Sequence, residues 1–410
     1  MPISAIIRSD DLRSENRRRI LNTLRSTGPS TPASLVELTG LSAASISTLS
    51  SQMIDQGILL SGKYPDKSTK GTRGRPKSQL SLNPQAGDVV TVNLTIDRIR
   101  VQRVHYAGTV VQSHDATLDT RDLSVQQLLD TTIDAVEAAC PDNARQNLHH
   151  IGVSFQGMTE HESGDLLWSP IISHRNVPLG NALHDRFGVT NSVNNDCRLI
   201  SQALSRYHND SLGRSFATVL FSHGIGLGLY LDGQPFAGTR SSALEMGHLR
   251  FEHNGALCRC GKRGCIEAYS ADYGIERLAR GQSVDDTPSG RVSDQSMLEL
   301  IEQAQQGDRA AVQAFTVAGA AIGEGLVSLF TLLDPMPVAL VGHSDRAFEL
   351  MQGGITSILR QNLRSEVDLK GLLNYFDNVD PLLDQGLILN SLNHVDRQFS
   401  DPATNLSISA

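Results

Sequence analysis

The sequence predicts an α/β protein in two parts, a small helical head over residues 1–83 and a larger two-lobed body over residues 84–410. Three observations carry that expectation. Helix-period apolar patterns and a basic loop fill the N-terminal part, β-branched strands alternating with long helical stretches fill the rest, and charge divides between the two. Residues 1–77 carry twelve basic and six acidic side chains, a net +6, against −8 for the whole chain, which leaves about −14 on the remainder. A basic head on an acidic body points to a polyanionic partner for the head.

In the head, Ile20, Leu21 and Leu24 predict an amphipathic helix from Ser14 to Ser26, stopped by Gly28-Pro29. A short second helix starts at Thr31-Pro32, buries Leu35 and Leu38 and ends at Gly40. Ser42 caps a third helix running to Gln56, with Ile46, Leu49 and Met53 on its inner face. Its other face presents Ala44, Ser47, Thr48 and Ser51, side chains small enough for the helix to enter a major groove. Strands at Ile58–Leu60 and Ser78–Leu82 then flank a loop carrying Lys63, Lys67, Lys70, Arg73, Arg75 and Lys77, with Gly74 and Pro76 around Arg75. These elements make a winged helix-turn-helix that binds a double-stranded DNA operator. Arg73, Arg75 and Lys77 supply phosphate and minor-groove contacts. The competing reading, a protein-interaction module with a solvated basic face, explains the wing less well.

The body begins with strands at Val89–Leu94 and Ile99–Val104, continues through Ile151–Phe155, Val189–Val193, Phe216–Leu220, Gly226–Leu231 and Val338–Val341, and carries helices at Ser124–Ala139 and Ala310–Leu333. The pattern contains no repeat at solenoid periods. The N-terminus lacks the charge and apolar pattern of a signal peptide, and the longest apolar run, Gly325–Leu333, is too short for a membrane span. A cytoplasmic location with no membrane partner is expected.

The most specific chemical signal is Glu245-Met-Gly-His248, followed after nine residues by Cys258-Arg-Cys260-Gly-Lys-Arg-Gly264-Cys265-Ile-Glu267. Three thiolates and an imidazole complete a tetrahedral Zn²⁺ shell, and Gly261 and Gly264 let the loop turn tightly enough for Cys258, Cys260 and Cys265 to converge with His248. With four protein ligands no position is left for water, so the expected zinc is structural, one per chain. Three buried thiols without metal are the alternative, and they leave the paired glycines and following carboxylate unexplained.

The same motif closely resembles the ROK family, which groups sugar-responsive repressors, open reading frames and sugar kinases. The resemblance runs from about Ser14 to Asn390. It implies an actin-like, hexokinase-type body with a sugar between the lobes. The effector, a sugar or sugar derivative, would then be held by Asn195, Asp196, Glu245 and Glu267, with His248 touching it through its second ring nitrogen. On its own, Asn194-Asn195-Asp196 reads more readily as an ordinary turn.

Family kinases open the body with an Asp-x-Gly-Gly-Thr phosphate hairpin, where this chain has Asn93-Leu94-Thr95-Ile96-Asp97. Half of a second glycine loop survives at Ser222-His223-Gly224-Ile225-Gly226, and Ser154-Phe155-Gln156-Gly157 stands where the family has Gly-x-Pro-Gly. Asp196 is thus a vestigial base, and the resemblance implies a regulator and not an enzyme. It would be a repressor of carbohydrate genes, assembled as a homodimer or homotetramer on a palindromic site. Two alternatives stay open: an active sugar kinase with a DNA-binding head, and a regulator controlled by a partner protein.

Overall fold

The computed structural model describes residues 9–62, 78–160, 163–221, 223–236, 238–239, 244–288, 292–342, 344–363, 368–369, 371–377 and 379–401. Helix α1 spans Ser9–Thr27, so it begins at Ser9 and not at Ser14; Asp10 and Asp11 in its first turn and Arg25 in its last complement the helix dipole. Helix α2 (Pro32–Thr39) is capped by the Thr31 hydroxyl and ends on Gly40 at φ 70°. Helix α3 (Ala43–Asp55) is capped by Ser42 and buries Ile46, Leu49 and Met53. Strands β1 (Leu59–Gly62) and β2 (Gln79–Leu82) pair antiparallel, Leu59 opposite Leu82. The basic loop 63–77, with Arg73, Arg75 and Lys77, lies outside the described residues.

The first lobe holds β3 (Asp88–Leu94), β4 (Arg98–His105), β5 (Val110–Thr117), α4 (Val125–Ala139), α5 (Asp142–Arg145), β6 (Leu148–Phe155), β7 (Met158–Thr159), β8 (Leu166–Trp168), α6 (Leu179–Phe187), β9 (Thr190–Asn195), α7 (Asp196–Tyr207) and α8 (Asn209–Leu212). The second adds β10 (Phe216–Phe221), β11 (Ile225–Leu231), β12 (Gln234–Pro235), α9 (Glu267–Ser270), α10 (Asp272–Ala279), α11 (Asp294–Gln305), α12 (Arg309–Leu333), β13 (Val338–Gly342), α13 (Asp345–Asn362) and β14 (Leu373–Phe376). Helix α14 (Val379–Ser400) closes the described chain.

The two five-stranded sheets repeat one plan. Their orders are β5-β4-β3-β6-β9 and β12-β11-β10-β13-β14, and in each the first three strands form an antiparallel meander while the last two join in parallel. This internal duplication escapes a search for short sequence periods, because it repeats a topology and not a residue pattern. Its consequence is functional. The carboxyl ends of β3, β6, β9, β10 and β13 all lead toward the gap between lobes, where open α/β sheets bind ligands.

By length and composition α12 could cross a membrane, which corrects the shorter apolar run read from sequence. Half of its apolar window is buried, and Ala314, Phe315, Ala318, Ile322 and Leu326 belong to the second-lobe core. It packs on α13 so closely that a side chain at Gly319 would collide with the Met351 backbone. That is the behaviour of a core helix.

Contacts cross the position-83 boundary. Ile20, Leu21 and Leu24 of the head share one buried cluster with Val104, Tyr106, Leu392, Val395 and Phe399 of the body. Arg25 donates to both carboxylate oxygens of Asp396 (2.7 and 3.1 Å) and to the Tyr106 carbonyl (2.9 Å), while the Tyr106 hydroxyl donates to Asp396 at 2.6 Å.

Candidate sugar cleft and metal centre

Asp196 is placed by the direct junction of β9 and α7. Asn195, the N-cap of α7, accepts from the Cys197 N–H through Oδ1 (3.0 Å) and donates through Nδ2 to the Gly157 carbonyl (3.1 Å). Most of its amide is therefore spent on holding the turn, and one amide hydrogen remains for a ligand. Burial pushes the Asp196 carboxyl up to about 6, against the Cys197 N–H that stabilises its anion.

Across the gap, Glu245 immediately precedes the 3₁₀ turn Met246–His248, and its Oε2 lies 3.4 Å from His248 Nε2. Burial raises the Glu245 carboxyl, opposed by His248 and reinforced by the charges of Glu267 and Asp196, so three carboxyl groups from separate segments converge. Glu267 is buried, with Oε1 3.2 Å from the Tyr273 hydroxyl and 3.5 Å from Cys258 Sγ. Four of the five expected sugar residues thus present acceptors or a ring nitrogen to one region, while Asn195 mainly supports its neighbour.

The metal group forms as a tight loop. Gly261 and Gly264 have φ of 83° and 73°, and a side chain on Gly264 would strike the Glu252 carbonyl. Ligand atoms of His248, Cys258, Cys260 and Cys265 lie within 4.8 Å of one another. Cys260 Sγ to Cys265 Sγ and Cys258 Sγ to His248 Nδ1 are both 3.8 Å. A regular tetrahedron with Zn–S bonds of about 2.3 Å has edges of about 3.8 Å, so the donor set fits that ion. Hydrogen bonds from the Cys258 and Cys265 thiols hold the Cys260 sulfur far below the ordinary thiol range, while the same contacts push the Cys258 thiol far above it. Nδ1 faces the sulfurs, which leaves Nε2 toward Glu245.

Two residues that no sequence motif marks also stand here: Trp168, whose ring meets the His248 imidazole edge to face at 5.3 Å, and Arg259, which stacks 4.2 Å above Tyr273. Trp168 is the chain's only tryptophan, a visible signal that lacked a partner until β8 was placed. On the head, Ala44, Ser47, Thr48 and Ser51 are all exposed along one side of α3, opposite its buried stripe.

Two lobes of one topology, a cleft at their strand ends and a His-Cys₃ loop at its edge define a sugar-kinase-type body, here carrying a helical head. The chain belongs to the ROK family, whose pattern matches residues 92–371. It is 23% identical to the xylose repressor of Caldicellulosiruptor bescii, over 93% of this chain and 95% of that one. Among solved structures, a ROK family transcriptional regulator homologous to the Escherichia coli MLC protein superposes with TM-score 0.71 at 21% identity, covering 93% of this chain and 99% of its own. A ROK glucokinase from Streptomyces griseus, in complex with glucose and AMPPNP, superposes with TM-score 0.57 at 22% identity, covering 99% of its own chain but 74% of this one. The regulator thus matches more of this chain than the kinase does, 93% against 74%.

Proposed function

We propose that this chain is a sugar-responsive, DNA-binding transcriptional repressor of carbohydrate uptake or metabolism genes, acting in the cytoplasm as a homodimer or homotetramer. The observation that carries the reading is α14. Its first two turns, with Val379, Asp380 and Leu383, line the interlobe cavity, and its last turns, with Asp396 and Phe399, hold α1 of the head. One helix of 22 residues, about 33 Å long, joins the ligand side to the DNA side.

In this reading the head is residues 1–83 and the effector body residues 84–410. Ala44, Ser47, Thr48 and Ser51 enter a major groove while Arg73, Arg75 and Lys77 meet phosphates and the minor groove. Asp196, Glu245, Glu267, His248 Nε2 and the spare Asn195 amide hydrogen read the sugar hydroxyls. His248, Cys258, Cys260 and Cys265 would hold a structural Zn²⁺, which fixes Glu245 and Glu267 on either side of the ring nitrogen.

Kinase chemistry is disfavoured by the 93–98 hairpin. The Thr95 N–H is spent on the Arg98 carbonyl (2.9 Å), and Leu94 and Ile96 are buried, so bare backbone is not offered to a phosphate. The test is a thermal-shift screen with sugars and sugar derivatives, followed by binding to an operator selected from random duplexes, with and without the hit. A hit that weakens operator binding is expected. ADP release that depends on a sugar and disappears in Asp196→Asn would make the protein a kinase instead.

A further inference from the structure

A cavity of about 570 Å³ opens beside the sugar face; it shares Asp196 with that face but includes none of Glu245, His248 and Glu267. Two of its lining side chains are anomalous. Asn93 and Ser154 are 3% and 1% exposed, yet among the described residues Asn93 Nδ2 and Ser154 Oγ have no hydrogen-bond partner. They are register partners on the paired strands β3 and β6, so the two orphaned groups stand side by side at the floor of one space. Buried polar atoms without a partner are rare in native proteins, and a pair facing a cavity marks where a ligand supplies the missing bonds.

The walls define what that ligand is. Ile275, Met297, Ile301, Met351 and Leu383 give the cavity an apolar body. Its charged lining is predominantly acidic: Asp97, Asp196, Asp272, Asp294 and Asp380 stand against Arg98 and His223. Of the two basic groups, Arg98 lies 2.9 Å from Asp380 and His223 lies 2.7 Å from Asp272, so both already face carboxylates. Such a wall repels a polyphosphate or any other anion.

We propose that this cavity is a second effector site, for a small neutral or cationic molecule with an apolar body and a carbonyl or hydroxyl end that bonds Asn93 and Ser154. It stands apart from the sugar-responsive reading and does not require it. Because Val379 and Leu383 of α14 form part of the wall, an occupant also packs on the helix that carries the head.

The test uses the full-length protein and ligand-observed NMR with three equal sets of one- and two-ring aromatic fragments, neutral, cationic and anionic, together with AMPPNP. Neutral and cationic fragments are expected to bind. Asn93→Leu should weaken the best of them about tenfold, the loss of one hydrogen bond to a buried group. Leu298→Trp acts at the mouth, where Leu298 is 43% exposed, and should abolish binding without disturbing the core. Both variants are checked for an unchanged thermal midpoint, and the mouth variant keeps the test informative if Asn93→Leu misfolds. The proposal is overturned if no fragment binds, if the hits survive Leu298→Trp, or if anionic fragments or AMPPNP bind best.

Discussion

The junction between head and body offers the sharpest energetic test. The side chains of Arg25 and Asp396 are 8% and 3% exposed, and Asp396 takes two bonds from Arg25 and one from Tyr106. Arg25→Ala leaves a carboxylate buried with the tyrosine hydroxyl alone, and removing one partner of a buried pair costs about 3–5 kcal/mol. Asp396→Ala strands a guanidinium in the same pocket, at a similar cost. Arg25→Ala/Asp396→Ala removes both charges and leaves chiefly the Tyr106 hydroxyl unpaired, so its loss should be well below the sum of the two single ones. Urea titrations of the four proteins, followed by circular dichroism and by proteolysis of the chain between head and body, measure the cycle. Each single variant should be less stable than the double, with the head released to protease first. The reasoning is refuted if either single substitution costs less than about 1 kcal/mol, or if the two costs simply add.

Other outcomes follow from the site. Cys258→Ser should lose stoichiometric zinc, read by elemental analysis, and lower the thermal midpoint; full metal content at unchanged stability would contradict a four-ligand structural site. The Asp196 carboxyl, raised from 3.8 to about 6 by burial, has a folded pKa above its unfolded one. The folded state therefore binds the proton more tightly, and this group's contribution to stability rises as pH falls from 6 toward 4. Above pH 6 it is a penalty of at most about 3 kcal/mol, so Asp196→Asn should stabilise the ligand-free protein at pH 7.5 and flatten that pH dependence in urea titrations. Sugar affinity should fall over the same window, because the acceptor becomes protonated. On the head, Thr48→Glu at an exposed position should change stability by no more than about 0.5 kcal/mol yet abolish operator binding in a gel-shift titration. Replacing Arg73, Arg75 and Lys77 by alanine should instead flatten the salt dependence of binding.

The helices of the head could be read because their signals are local, although Leu38, expected inside, is 56% exposed. Ser42, Gly40 and Pro32 act within one turn of where they stand, and the inner stripe of α3 needs no knowledge of the rest of the chain. The convergence of the His-Cys₃ loop was legible for the same reason: its three cysteines sit within eight residues, and the glycine turns that fold them are part of the motif. What escaped is long-range. Strand β5, whose residues alternate between exposed and half-buried, carries little apolar pattern, since it is the edge of its sheet. Helix α14 went unread as an element although Leu383, Leu387 and Val395 are buried along it, because its partners α7, β3, β6 and α1 are scattered across the whole sequence. Ser154 and Asn93 were noticed only as departures from a pattern; their shared lack of partners required the register of two strands.

The placement of α14 also limits how a ligand can act. A ligand shifts operator affinity only by binding two states of the protein unequally, so some element must differ between them and touch both ends. Helix α7 begins at Asp196 in the cleft, and one turn later the Leu199 backbone meets α14 so closely that a side chain on Gly386 would collide with it. Under the proposed function, a ligand on Asp196 that displaced α7 would press on α14 near its N-terminal third, through a backbone contact that cannot yield by changing rotamer. Gly386 then divides the helix unequally. The short arm, Val379 to Leu383, borders the cavity, and the long arm reaches Asp396 and Phe399 under the head. A small tilt about that contact is magnified at the long end, where the buried Arg25–Asp396 pair is bonded at both termini of the guanidinium and cannot follow gradually. Under the proposed function, a pair so enclosed would be either made or broken, and a graded movement at the cleft would then give the head two positions.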